Sequence, residues 1–249
     1  MTVQKVSFFN SRGLKIVGIL DGEGDRCAII SSHFTGFKEV KHYFNLAKTL
    51  SDNGICALRF DFSDCIGESE GTCEEMSVTN QTNDIISAID FLEEKGISKI
   101  GIIGHSLGGL VAINAAANDN RIKALVSAAA PAKLEWDTLF KEKEAQWKND
   151  GYITFPSWKR GKIRINYGFY LDLKKQDATK LVQRIKAPIL VIHPENDELV
   201  SIVNSQEIYE NANDPKNFIV IKGSDHMFSK EEHESELIGL TLDWFKKWL

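Results

Sequence analysis

Ile100-Gly101-Ile102-Ile103-Gly104-His105-Ser106-Leu107-Gly108-Gly109 decides how the rest of this chain is read. An isoleucine-rich run leads straight into Gly-x-Ser-x-Gly, and small residues in a helical pattern follow. The stretch predicts a buried strand, one tight turn with a serine at its tip, and a helix. Glycines two positions either side of Ser106 leave room for a turn too sharp for side chains. The hydroxyl then stands at the carboxyl end of the strand, above the helix N-terminus, where free amides and the helix dipole favour developing negative charge. Three fixed letters in five arise cheaply by chance; the strand–turn–helix setting is what points to a serine nucleophile.

Outward from this turn the chain alternates strands and helices. Residues 2–9 and 14–20 read as strands joined by Asn10-Ser-Arg-Gly13, and 27–31 as a short buried strand followed by the loop Ser32-His33-Phe34-Thr35-Gly36. Tyr43, Leu46, Ala47 and Leu50 recur at helical spacing before Asn53-Gly54, and 55–60 is the next strand. Residues 61–77 hold six acids and no bases and read as a solvated surface loop. A helix is expected over 79–95, then strands at 98–104, 122–127, 189–192 and 218–221. Residues 202–211 look helical, and Ser229 with Glu232 forms a capping box for a final helix. Almost wholly apolar strands alternating with helices imply a mainly parallel sheet covered on both faces. Ligands of such sheets sit at the carboxyl ends of the strands, where Ser106 lies.

The 249 residues, 43% of them hydrophobic, suffice for one α/β domain spanning 1–249 with a sizeable core. A net charge of -5 argues against a nucleic-acid partner. No apolar stretch approaches membrane-spanning length, and the first ten residues lack the shape of a signal peptide. Cys27 and Cys56 read as buried thiols; Cys65 and Cys73 share a loop but are expected to stay unpaired. Free thiols without an export signal fit a cytoplasmic protein.

Between about 131 and 187 the pattern changes. Trp136, Phe140, Trp147, Tyr152, Phe155, Trp158, Tyr167, Phe169 and Tyr170 crowd this stretch. Residues 133–148 suit a helix, and 152–158 with 162–165 a hairpin. An insertion between sheet strands is best read as a cap over the site, some rings packing it onto the body and a few facing substrate. Trp136, Phe140 and Trp158 are the candidate substrate-facing rings. Eight Lys/Arg against five Asp/Glu between 131 and 165 are most simply a solvated face.

A serine hydroxyl needs a base, and the base needs a carboxylate to fix its tautomer. Six histidines compete. His42 and His233 lie in helices as expected surface residues. His105 adjoins the serine and should point away from it, bordering the pocket; His33 is placed to line it. His193 ends a strand as a buried, hydrogen-bonded residue. His226 remains, in the loop after the last strand, which a parallel sheet brings to the edge holding Ser106. The carboxylate is expected from the preceding loop, as Asp197, with Glu195 and Glu198 as surface rivals and Asp225 poorly placed beside the ring. The order is Ser106, Asp197, His226.

With these residues in place the whole chain resembles the α/β-hydrolase superfamily, specifically compact carboxylesterases of the cinnamoyl/feruloyl type. The resemblance rests on Phe34-Thr-Gly-Phe37, Leu58-Arg-Phe-Asp-Phe62, Gly67-Glu-Ser-Glu-Gly71, Gly104-His-Ser-Leu-Gly-Gly109, Asp197-Glu-Leu-Val200 and Gly223-Ser-Asp-His226. It implies an eight-stranded sheet with the second strand antiparallel, and an oxyanion hole from the amides of Phe34 and Leu107. Ser32-His33 departs from the family's His-Gly, Pro194 from a glycine common near the acid, and Ser63-Asp-Cys-Ile66 is one residue longer than usual.

The implied chemistry is cleavage of a small-molecule ester, aryl/cinnamoyl or short-to-medium acyl, through an acyl-enzyme. It needs no metal and no organic cofactor. Thioester hydrolysis, acyl transfer and amide hydrolysis use the same machinery, and a catalytically silent binding protein is the alternative of a different class. The oligomeric state, homodimer included, is left open.

Overall fold

The computed structural model describes residues 2–64, 66–133, 140 and 142–249. The strands are β1 (Val3–Phe9), β2 (Lys15–Asp21), β3 (Arg26–Ser31), β4 (Cys56–Phe60), β5 (Lys99–His105), β6 (Ile122–Ala128), β7 (Tyr152–Ser157), β8 (Gly161–Asn166), β9 (Ile189–Pro194) and β10 (Lys216–Ile221). Eight of them make one sheet in the order β1-β2-β4-β3-β5-β6-β9-β10, while β7 and β8 form a separate hairpin. β2 runs antiparallel to both its neighbours, and the other pairings in the large sheet are parallel.

Successive side chains of a strand point to opposite faces, so the near-continuous apolar strands feed two cores. On one face α1 (Lys41–Asp52) and α8 (Glu231–Trp248) pack Tyr43, Leu46, Leu50, Leu237 and Phe245 against Ala28, Ile30 and Ile103. On the other, α2 (Val78–Glu94) and α3 (Leu107–Asn118) pack Ile85, Ile89 and Val111 against Ile29 and Ile102. A β-carbon on Gly101 would lie 2.7 Å from a ring carbon of Phe245, so α8 reaches β5 because that residue has no side chain.

The stretch after β6 holds α4 (Glu144–Asp150), the β7–β8 hairpin, α5 (Tyr167–Leu173) and α6 (Ala178–Leu181), and α7 (Ile202–Asn211) lies between β9 and β10. Residues 134–139 and 141, within the helix expected over 133–148, lie outside the described residues. Trp147 is fully buried, donates its indole N–H to the Ile165 carbonyl at 2.9 Å, and packs on Phe155, Phe169 and Tyr170. Most rings of this stretch therefore pack it together.

Three expectations need correcting. The 61–77 loop is not simply solvated: Asp61 and Asp64 are buried, and the wholly buried Lys38 brings its ammonium to Asp61, Glu68 and Glu39. The missing base comes from elsewhere in the chain. Ser229 does not cap α8; Lys230 holds the cap position without a side-chain bond, and the Ser229 amide donates to Asp225 Oδ1 at 2.8 Å. Glu231, Glu232 and Glu234 instead complement the helix dipole. Cys73 is disulfide-bonded, whereas Cys27 and Cys56 are free and buried; Cys65 lies outside the described residues. Among the described residues no helix is long and apolar enough to cross a membrane.

Candidate active site

β5 delivers Ser106 at φ 56°, ψ −125°, a backbone state that costs a residue with a side chain about 1–3 kcal/mol. The turn is held by the Ser106 amide donating to the Ala128 carbonyl and the Gly109 amide donating to the Ser106 carbonyl, both at 2.8 Å. The flanking glycines are sterically required. A β-carbon on Gly104 would lie 2.1 Å from the Gly108 carbonyl oxygen.

The structure brings Ser106, Asp197 and His226 within hydrogen-bond reach. His226 follows β10, its ring buried, with Nε2 3.0 Å from Ser106 Oγ. Its Nδ1 lies 2.8 and 2.9 Å from the two Asp197 carboxylate oxygens. Asp197 follows β9, and its Oδ1 accepts the amides of Leu199 and Val200, which fixes the carboxylate in its loop. The rival acids brace these loops: Glu195 accepts the Gly223 amide and Glu198 the His226 amide. His193 is buried with Nδ1 2.8 Å from Ser205 Oγ and Nε2 3.9 Å from Asp197.

A pocket of about 120 Å³ opens over Ser106 and His226. Leu107, Pro131, Phe140, Leu173, Val200 and Met227 give it an apolar lining, which His33 and Phe34 complete beside Ser106 and His226. Among the described residues no protein acceptor meets the amides of Phe34 or Leu107; the latter opens α3 and has no partner within the helix. The Phe34 ring packs edge-on to Phe140 and Phe155, with centroids 5.3 and 5.1 Å away. His33 in place of glycine is accommodated because the left-handed residue of this loop is Thr35, at φ 61°. Tyr43, read from the sequence only as a core residue of α1, accepts the His33 amide at 2.8 Å and lies 2.6 Å from His33 Nδ1.

Two expected pocket residues lie elsewhere. Trp158 is fully exposed at the hairpin turn, on the outward parity of Tyr152, Thr154 and Pro156. His105 is buried behind the site and donates Nε2–H to the His226 carbonyl at 2.9 Å, so it buttresses that loop and does not line the pocket. Trp136 lies outside the described residues. His233 is buried, not a surface residue, and His42 is half-buried against Tyr43, His33 and His105. Burial first, then the nearby His226, lowers His33 to about 4. Burial likewise lowers His42 to about 3 and His105 well below the ordinary range. All three are neutral imidazoles near neutral pH.

Known proteins share parts of this sequence and its fold. A palmitoyl-protein thioesterase, ABHD10, of Pongo abelii is 26% identical over 214 residues, covering 81% of this chain and 68% of the relative. An acyl transferase of Shewanella woodyi is 32% identical over 111 residues, covering 45% of this chain and 35% of the relative. The solved structure of Est1E from Butyrivibrio proteoclasticus with ferulic acid bound superposes with a TM-score of 0.79 at 20% identity, covering 98% of each chain. The fold is that of the α/β-hydrolases. Residues 71–249, which include Ser106, Asp197 and His226, match the prolyl oligopeptidase family, and the chain belongs to that family.

Proposed function

We propose that this chain is a serine hydrolase of carboxylic esters acting through an acyl-enzyme. The observation that carries the reading is the continuous hydrogen-bonded series from Ser106 Oγ through His226 to Asp197. As Ser106 Oγ attacks the ester carbonyl, its proton passes to His226 Nε2. Asp197 holds Nδ1–H and stabilises the imidazolium. The amides of Phe34 and Leu107 receive the tetrahedral oxyanion, a contribution of roughly 3–4 kcal/mol per donor in one well-studied protease. His226 then returns the proton to the departing alkoxide, leaving Ser106 acylated. Water, deprotonated by the same imidazole, releases the acid. The 131–187 insertion acts as a cap, and among its described residues Pro131, Phe140 and Leu173 line the pocket.

The small apolar pocket supports a short or compact acyl group rather than a long chain. A thioester is the second reading, favoured by the relative named as a thioesterase; an acyl acceptor other than water would make the same intermediate a transferase step. The test is hydrolysis of matched nitrophenyl esters and acyl thioesters of graded chain length, a hydroxycinnamate ester and a peptidyl nitroanilide, with Ser106→Ala as blank. Ester turnover that vanishes in the blank is expected. Turnover that survives it ends the proposal.

A further inference from the structure

His33, which also lines the pocket over Ser106, faces His42 and His105 in a nearly equilateral triangle with ring centroids 5.4 to 5.9 Å apart. One nitrogen from each ring lies within 4.8 Å of one from each of the others. The mechanism above uses none of these nitrogens as acid or base. No carboxylate belongs to the set, so it is not an ordinary ion-pair network.

The hydrogen bonds around the triangle prepare it for a cation. His105 gives its Nε2–H to the His226 carbonyl, which leaves the Nδ1 lone pair on the side of Tyr43, 3.5 Å from that hydroxyl. A histidine whose second ring N–H is tied to a backbone carbonyl is oriented as metal-ligating histidines are. His42 Nε2 is buried and meets no hydrogen-bond partner among the described residues, a costly state for a polar atom.

We propose that His33, His42 and His105 form a binding site for a divalent transition-metal ion of the zinc type, with the Tyr43 hydroxyl beside the open coordination position. Three imidazoles and one open position are a set that suits Zn²⁺. Nitrogens about 2.0–2.1 Å from a tetrahedral ion are about 3.4 Å apart, within the 4.8 Å that bounds this set, so binding draws the rings inward and the Tyr43 hydroxyl gives up or shares its contact with His33 Nδ1. Occupancy would bear on the site from two sides. His33 precedes Phe34, whose amide is the proposed oxyanion donor, and His105 holds the carbonyl of His226.

The test is a Co²⁺ titration of the full chain after chelator treatment and dialysis, followed by visible absorption. One equivalent is expected to bind with the strong visible bands of a low-coordinate, nitrogen-ligated cobalt ion, and Zn²⁺ is expected to bleach them. His42→Ala is expected to weaken binding by about tenfold or more while fluorophosphonate labelling of Ser106, compared on the metal-free proteins, proceeds at the parent rate. His42→Gln serves if the alanine variant does not fold. His226→Ala is expected to keep the cobalt spectrum. No stoichiometric binding, unchanged binding in the folded His42 variant, or loss of the spectrum in His226→Ala overturns the proposal, the last by moving the ion to the Ser106 site.

Discussion

A β-carbon on Gly108 would stand 2.3 Å from the carbonyl oxygen of Ser31, so the first turn of α3 and the end of β3 touch backbone to backbone. That contact sets the distance between Leu107, beside the nucleophile, and the loop carrying Phe34. Gly108→Ala must push them apart. Overpacking of this kind costs about 1–3 kcal/mol, and ester turnover is expected to fall more than tenfold. Gly239→Ala is the control: nothing lies within 4 Å of a β-carbon there, and a helix-interior alanine is expected to stabilise by roughly 0.5–1 kcal/mol. Urea unfolding and ester kinetics on both variants check the pair.

Asp197→Asn keeps a carbonyl oxygen for the Leu199 and Val200 amides while removing the charge that faces His226. The loop is expected to hold, and kcat to fall by about 10³–10⁴, the scale of the same change in a serine protease. Stability near that of the parent with kcat so reduced separates a charge effect from misfolding. A kcat within threefold of the parent would refute the role given to Asp197.

Phe140 and Trp158, two aromatic residues of one insertion, should behave oppositely. Phe140 is buried at the pocket and packs on Phe34, whereas Trp158 is bare to solvent. Phe140→Ala is expected to shift the preferred acyl chain toward longer members of an ester series. Trp158→Ala is expected to leave the profile and the melting temperature unchanged. An unaltered profile in the Phe140 variant would show that this ring does not limit the acyl group.

Asp64 predicts a pH dependence of stability. Burial pushes its carboxyl up to about 7, opposed by the hydrogen bond from Gln81 and reinforced by Asp84 and Asp61. In the unfolded chain an aspartate titrates near 3.9. Between about 4 and 7 the folded state therefore holds the proton more tightly, so this residue's contribution to stability declines as pH rises through that window and is at its most unfavourable above it. Asp64→Asn retains an acceptor for Gln81 without the charge. Its urea midpoint is expected to exceed the parent's at pH 8, with the gap closing toward pH 5. A gap that widens on acidification would reverse the sign and sink this account.

Much of the molecule follows from local patterns in the sequence. The central strands β3, β4, β5, β6 and β9 fall where the short apolar runs are, because a run that must be buried on both faces is visible in any window of five or six residues. The turn at Ser106 was legible because its pattern fits within five residues, where Gly104 meets Gly108 locally, although the contact of Gly108 with Ser31 is visible only in the fold. The chain order of Ser106, Asp197 and His226 was legible because a parallel sheet sends each of these loops to one edge.

What tertiary structure alone decided are the pairings between segments distant in sequence. Whether His42, His105 and His233 meet water or protein depends on which elements the sheet order stacks together, and all three are more enclosed than their positions suggested. The acid-rich loop after β4 was misread as solvated because its cation, Lys38, arrives from before α1. Trp158 and Phe140 share a composition-based signal, and only the register of the β7–β8 hairpin and the packing on Phe34 tell them apart. Periodicity is written along the chain within one turn or one strand; the identity of a buried group's partner is set by packing across the fold, where sequence separation carries no information.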